Sequence, residues 1–92
     1  MTQLKQIETI QKNLMLQGDD NSQKRKLATL EYLLNPRNYQ SEERLDKVIS
    51  IPKHDIDKQY LTEVLEQLGY SNPQYEEAYD GYYEGTCYKI TL

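Results

Sequence analysis

From Thr2 to Gln17 the apolar residues Leu4, Ile7, Ile10 and Leu14 recur at spacings of three and four, with Gln, Lys and Glu between them. That period is the turn of an α-helix and predicts a one-sided helix over 2–17, whose stripe serves equally well against its own domain or across a dimer. Gly18 is placed to stop it in the left-handed conformation, and Asp19, Asp20, Asn21 and Ser22 follow as a turn and cap cluster. A second helix is expected from Gln23, with Leu27, Leu30, Leu33 and Leu34 as its stripe. It ends at Asn35-Pro36, because the residue before a proline is pushed out of the helical region.

Ser41 is positioned to cap a third, short helix, with Glu42 and Glu43 in its first turn and Leu45, Val48 and Ile49 facing inward until Ile51-Pro52. Asp55 then caps a fourth helix over 55–69, striped by Ile56, Tyr60, Leu61, Val64, Leu65 and Leu68. Beyond Ser71-Asn72-Pro73 the chain turns tyrosine-rich and β-favouring, and Thr86, Tyr88, Ile90 and Leu92 alternate as a strand. With Glu84-Gly85 as a two-residue loop, a hairpin is expected over 76–92. The expected fold is therefore one α+β domain, mostly α: an added helix over 2–17, a helical core over 24–69, and a C-terminal β-hairpin.

Ninety-two residues suit a single domain with a lean core. The charge is uneven: residues 1–49 carry 8 basic and 7 acidic groups, and residues 50–92 carry 3 basic and 8 acidic. The C-terminal half therefore disfavours nucleic acid and anionic membranes as partners. Cys87 is the only cysteine, the start MTQLKQIETIQ lacks the apolar run of a signal peptide, and no stretch reaches the roughly 20 apolar residues of a membrane span. A cytoplasmic protein is the expectation.

Catalytic chemistry finds little support. His54 and Cys87 are far apart and carry no flanking motif; they read as a turn residue and a packing residue. Asp19-Asp20-Asn21 and Glu76-Glu77 lack the ligand number of a metal site, and the four glycines are scattered rather than gathered in a phosphate loop. Without Trp or Phe there is little from which to build a deep cleft. No enzymatic activity, cofactor or metal is expected.

Tyrosine is the compositional anomaly, nine in all, six of them between Tyr70 and Tyr88. One reading makes them core aromatics in place of the missing phenylalanines. The other concerns Tyr75, Glu76, Glu77, Tyr79, Asp80, Tyr82, Tyr83 and Glu84, where rings alternate with carboxylates as on a surface that grips a basic protein. Adjacent Tyr82 and Tyr83 are expected on opposite faces of the sheet.

From Lys24 onward the segments KLATLEYLL, SEERLDKVI, DIDKQYLTEVLEQLGY and YDGYYEGTCYKITL give an order that resembles a winged-helix domain. The resemblance implies DNA binding, with the third of these helices as the recognition helix, the hairpin as the wing and the N-terminal helix as a dimer interface. The charges oppose that use. Residues 55–69 carry Asp55, Asp57, Glu63 and Glu66 against Lys58, and residues 76–92 carry Glu76, Glu77, Asp80 and Glu84 against Lys89, so the usual DNA face is expected to serve another partner. A winged-helix transcriptional regulator would instead use Lys24, Arg25, Lys26 and Lys53, a strip that otherwise reads as a solvated helix face. In composition the chain is similar to the small inhibitors that bacteriophages and mobile elements direct at host nucleases, among them anti-CRISPR and anti-restriction DNA mimics. That similarity implies a non-enzymatic inhibitor of a nucleic-acid-binding host protein.

Overall fold

The computed structural model describes residues 2–18, 21–41 and 44–92. Helix α1 spans Gln3–Met15, opened by Thr2, whose hydroxyl accepts a hydrogen bond from the Lys5 backbone N–H. Gly18, at φ 101°, takes the left-handed conformation expected of it. Helix α2 spans Asn21–Leu33, and a 3₁₀ turn at Pro36–Asn38 follows it. Strands β1 (Tyr39–Ser41), β2 (Arg44–Leu45) and β3 (Val48–Pro52) come next, then helix α3 (Lys58–Gln67), then strands β4 (Gln74–Asp80) and β5 (Gly85–Thr91). The fold is α+β.

β1 and β2 form a small antiparallel ribbon, while the main sheet is antiparallel in the order β3-β5-β4. Its register sets Ile49 opposite Ile90 and Ile90 opposite Tyr75, so these three share one face. That face meets the helices in a core containing Ile7, Leu30, Leu33, Ile49, Ile51, Leu61, Leu65 and Ile90, all at most 1% exposed. Ile7 and Leu14 of α1 are buried in this same core, so the stripe of the N-terminal helix is used within its own chain. Thr29 ties two helices together: its hydroxyl accepts from the backbone N–H of Asp57, the residue that caps α3.

Three expectations change. The helix expected after Ser41 is absent from 44–52, which forms β2 and β3, and the supposed helical core over 24–69 thus contains strands β1 to β3. Ser41 belongs to β1, and the expected first-turn residues Glu42 and Glu43, like Asp19 and Asp20 of the turn cluster, lie outside the described residues. The reason is a competing period: Ile49 and Ile51 sit two apart, are both buried, and are β-branched, which suits a strand better than a helix. Next, α3 is capped by Asp57, whose side chain accepts from Tyr60 N, rather than by Asp55, which is held at φ 67° in the preceding turn. Finally, the hairpin starts earlier, at Gln74, and turns through the four residues Gly81 to Glu84, with Asp80 opposite Gly85. Tyr82 and Tyr83 therefore lie in the turn and not on opposite faces of a strand.

Candidate functional site

The hairpin tip is anchored by a carboxylate. Asp80, 8% exposed, accepts from the Ser50 hydroxyl at 2.7 Å, from the Tyr82 backbone N–H at 2.9 Å and, at its two carboxylate oxygens, from the single Arg37 Nη1 at 3.2 and 3.3 Å. The Ser50 hydrogen bond, followed by that of Tyr82 N and the Arg37 guanidinium, outweighs the cost of burial and pulls the Asp80 carboxyl down to about 2. It stays ionised over the whole ordinary pH range.

Arg37 also organises the rings. Its Cζ lies 4.4 Å from the centre of the Tyr82 ring and 5.4 Å from that of Tyr83. The two rings meet edge to face at 4.8 Å, and Tyr83 meets Tyr32 of α2 in the same way at 5.7 Å. Asn35 donates to the Tyr83 hydroxyl at 3.1 Å. Tyr83 is thereby a half-buried strut, and its burial pushes the hydroxyl pKa up. Tyr82 is 64% exposed and presents its outer surface to solvent.

Along β4 the remaining residues divide by role. Tyr75 is half-buried, its hydroxyl hydrogen-bonded to Thr62 at 2.6 Å and its ring edge to face with Tyr88 at 5.7 Å. Lys58 Nζ lies over both of these rings, 4.8 Å and 5.2 Å from their centres. Glu77 pairs with Lys53, which lowers the pKa of the carboxyl and raises that of the amine, the hydrogen bond being the larger cause and the opposite charge the next. Glu76 is exposed and stands opposite Lys89 in the register. Tyr79, 71% exposed, is the barest ring of the chain's described residues, and Glu84 is exposed at φ 55° in the turn.

The eight residues singled out from sequence are thus contiguous along one hairpin, but they are not one acidic face. Asp80 and Glu77 are answered by Arg37 and Lys53 of the same molecule, and Tyr75 and Tyr83 are structural. What remains outward is Tyr79 and Tyr82, with Glu76, Glu84 and the half-exposed Glu77. Arg37, Asn35, Ser50 and Lys58, which build the site, were missed by sequence reasoning. Only the Asn-Pro-Arg-Asn stretch offered a local hint, as a cap followed by a turn.

The basic strip is also dispersed. Lys24 and Arg25 are exposed on α2, while Lys26 is half-buried with its Nζ 5.3 Å from the centre of the Tyr60 ring, and Lys53 is engaged by Glu77. No protein-family profile, curated protein or solved structure matches this chain. Among the described residues no cluster of three or more His, Cys, Asp or Glu could hold a metal ion, and no helix is long and apolar enough to cross a membrane. Cys87 is buried, and burial pushes its thiol pKa up, so it is not an activated nucleophile.

Proposed function

We propose that this is a non-enzymatic protein that binds a basic protein partner, such as a nucleic-acid-binding enzyme, through the tip and outer strand of its C-terminal hairpin, and inhibits it by occlusion. One observation carries the reading: Tyr79 and Tyr82 are largely exposed on a hairpin whose tip is fixed by Asp80, Ser50 and Arg37. A ring held in place before binding, as Tyr82 is by Arg37 and Tyr83, loses little entropy on contact, and tyrosine has few rotatable bonds to freeze in any case. Glu76, Glu77 and Glu84 around them supply acceptors for lysines or arginines of the partner.

Capture of partners from a lysate by the wild type and by a Tyr79→Ala/Tyr82→Ala variant tests this reading. Both rings are largely exposed and outside the core, although Tyr82 also packs on Arg37 and Tyr83, so the variant keeps the wild-type melting temperature to within a few degrees. The expected result is loss of a captured basic protein that high salt also releases. Equal capture by the folded variant would overturn the assignment of this surface.

A second reading, a winged-helix DNA-binding regulator, is favoured by the exposure of Lys24 and Arg25 at the start of α2 and by a strand, helix and hairpin in the order β3-α3-β4-β5. Against it stand β3 itself, in place of the helix that the likeness needs before α3, and the engagement of Lys53. Titration with random duplex DNA at low and moderate salt decides it. Steep loss of affinity with salt favours the regulator, and no binding at low salt removes it.

A further inference from the structure

The two edges of the main sheet are treated differently. In antiparallel strands the N–H and C=O of one residue point to the same side, and successive residues alternate. Lys53 N donates to Thr86 O and Leu92 N to Lys47 O, so the even-numbered residues of β5 direct their backbone groups toward β3. The odd-numbered ones, Gly85, Cys87, Lys89 and Thr91, must then face β4, where they meet Asp80, Ala78, Glu76 and Gln74. The backbone groups of Tyr75, Glu77 and Tyr79 consequently point away from the sheet.

The same alternation sends the backbone groups of Ser50 outward from β3, and there the side chain of Asn38 meets both of them. Ser50 N donates to Asn38 Oδ1 at 3.1 Å and Asn38 Nδ2 donates to Ser50 O at 3.4 Å. Asn38 is 2% exposed and closes that edge as a short strand would. No described residue does this for β4, where nothing pairs with the backbone of Tyr75, Glu77 or Tyr79.

Resting on the protein-binding reading above, we propose that the outer edge of β4 receives an extended, lysine- or arginine-bearing segment of the partner as a fourth strand. Main-chain hydrogen bonds to residues 75, 77 and 79 provide the attachment, and side chains provide the choice of partner. The charges select against a second copy. A two-fold pairing of β4 with itself about Glu77 sets one Glu77 carboxylate directly against the other, an unfavourable cross-strand pair. A cationic residue opposite Glu77 shares that half-exposed carboxylate with Lys53, and one opposite Glu76 meets an exposed carboxylate on the other face of the strand. The exposed Tyr79 ring flanks the same groove on the Glu77 face.

The test uses an eight-residue peptide of alternating lysine and valine, with a glutamate-valine peptide as the control. Amide exchange in the full-length protein is followed by NMR while peptide affinity is followed by fluorescence anisotropy. Lysine peptide should slow exchange at the amides of 75, 77 and 79 by at least about tenfold and leave 76 and 78 nearly unchanged, since those already bond to β5. Glu77→Pro removes an outward N–H without touching the β4-β5 ladder and should weaken peptide binding by about tenfold or more. Glu77→Lys, a second variant that needs no change of backbone, should do the same. Exchange unchanged at the three amides, or equal binding of both peptides, would overturn the proposal. So would protection of those amides that rises with protein concentration alone, because a second copy would then be the occupant. Partner capture that survives Glu77→Pro but not Tyr79→Ala/Tyr82→Ala would sink the edge inference and leave the tip reading standing.

Discussion

Arg37 and Asp80 are 43 residues apart in sequence, and their charged groups meet at 3.2 Å across the junction between the 3₁₀ turn and the hairpin. Arg37 is 35% exposed and Asp80 only 8%, so the pair is graded: one end in water, the other in the protein. Removing Asp80 leaves the Ser50 hydroxyl and Tyr82 N–H without their acceptor and frees Arg37 from its place against the rings. Asp80→Ala should cost about 2 to 3 kcal/mol, the range for losing hydrogen bonds to a buried charged group. Urea denaturation gives the number, and a loss under about 0.5 kcal/mol would show that the tip is not anchored this way.

The same carboxylate sets an acid limit. Its pKa is lowered from 3.8 to about 2 on folding, first by the Ser50 hydrogen bond. A depressed folded pKa contributes stability that is complete above the unfolded value and is lost as pH falls toward the folded one. Unfolding free energies of the wild type and Asp80→Asn should therefore converge between about pH 4 and pH 2. A constant gap across that window would place the source of the effect elsewhere.

What the sequence discloses follows the strength of its periods. α1 and α3 were legible because their stripes recur over several turns, and β5 because Thr86, Tyr88 and Ile90 alternate. Residues 44–52 were not, since Leu45, Val48 and Ile49 fit a helical spacing while Ile49 and Ile51 fit a strand; in so short a segment only the partner, β5, decides. Likewise the tyrosine cluster was visible as composition, but not which rings are struts. That depends on Asn35, Thr62 and Arg37, brought to the hairpin by pairings that leave no local trace.

α1 offers a clean check on whether the N-terminal helix belongs to the domain. Ile7 is fully buried beside Leu14 in the common core, and Gln3 accepts from Leu45 N and from the Tyr70 hydroxyl at 2.8 and 2.9 Å. Ile7→Ala should destabilise the whole chain by about 2 to 4 kcal/mol in a single transition. A helix that served only to join two copies would instead lose the dimer and keep the core. Sedimentation alongside thermal unfolding separates these outcomes.

Cys87 provides a reporter that requires no substitution. The side chain is fully buried on β5, opposite Ala78 on one side and Pro52 on the other, and its Sγ lies 3.8 Å from Gly85 O. Because burial both shields the thiol and raises its pKa, a disulfide reagent at pH 8 can react only when the hairpin opens. Labelling should therefore be slower in the folded protein than in urea by a factor that tracks the opening free energy. Asp80→Ala, which loosens the turn joining β4 to β5, should accelerate it by about tenfold or more, since each 1.4 kcal/mol is a factor of ten in the open population. An unchanged rate in that variant would mean that the turn and the central strand open independently, and that the carboxylate holds the tip without holding the sheet.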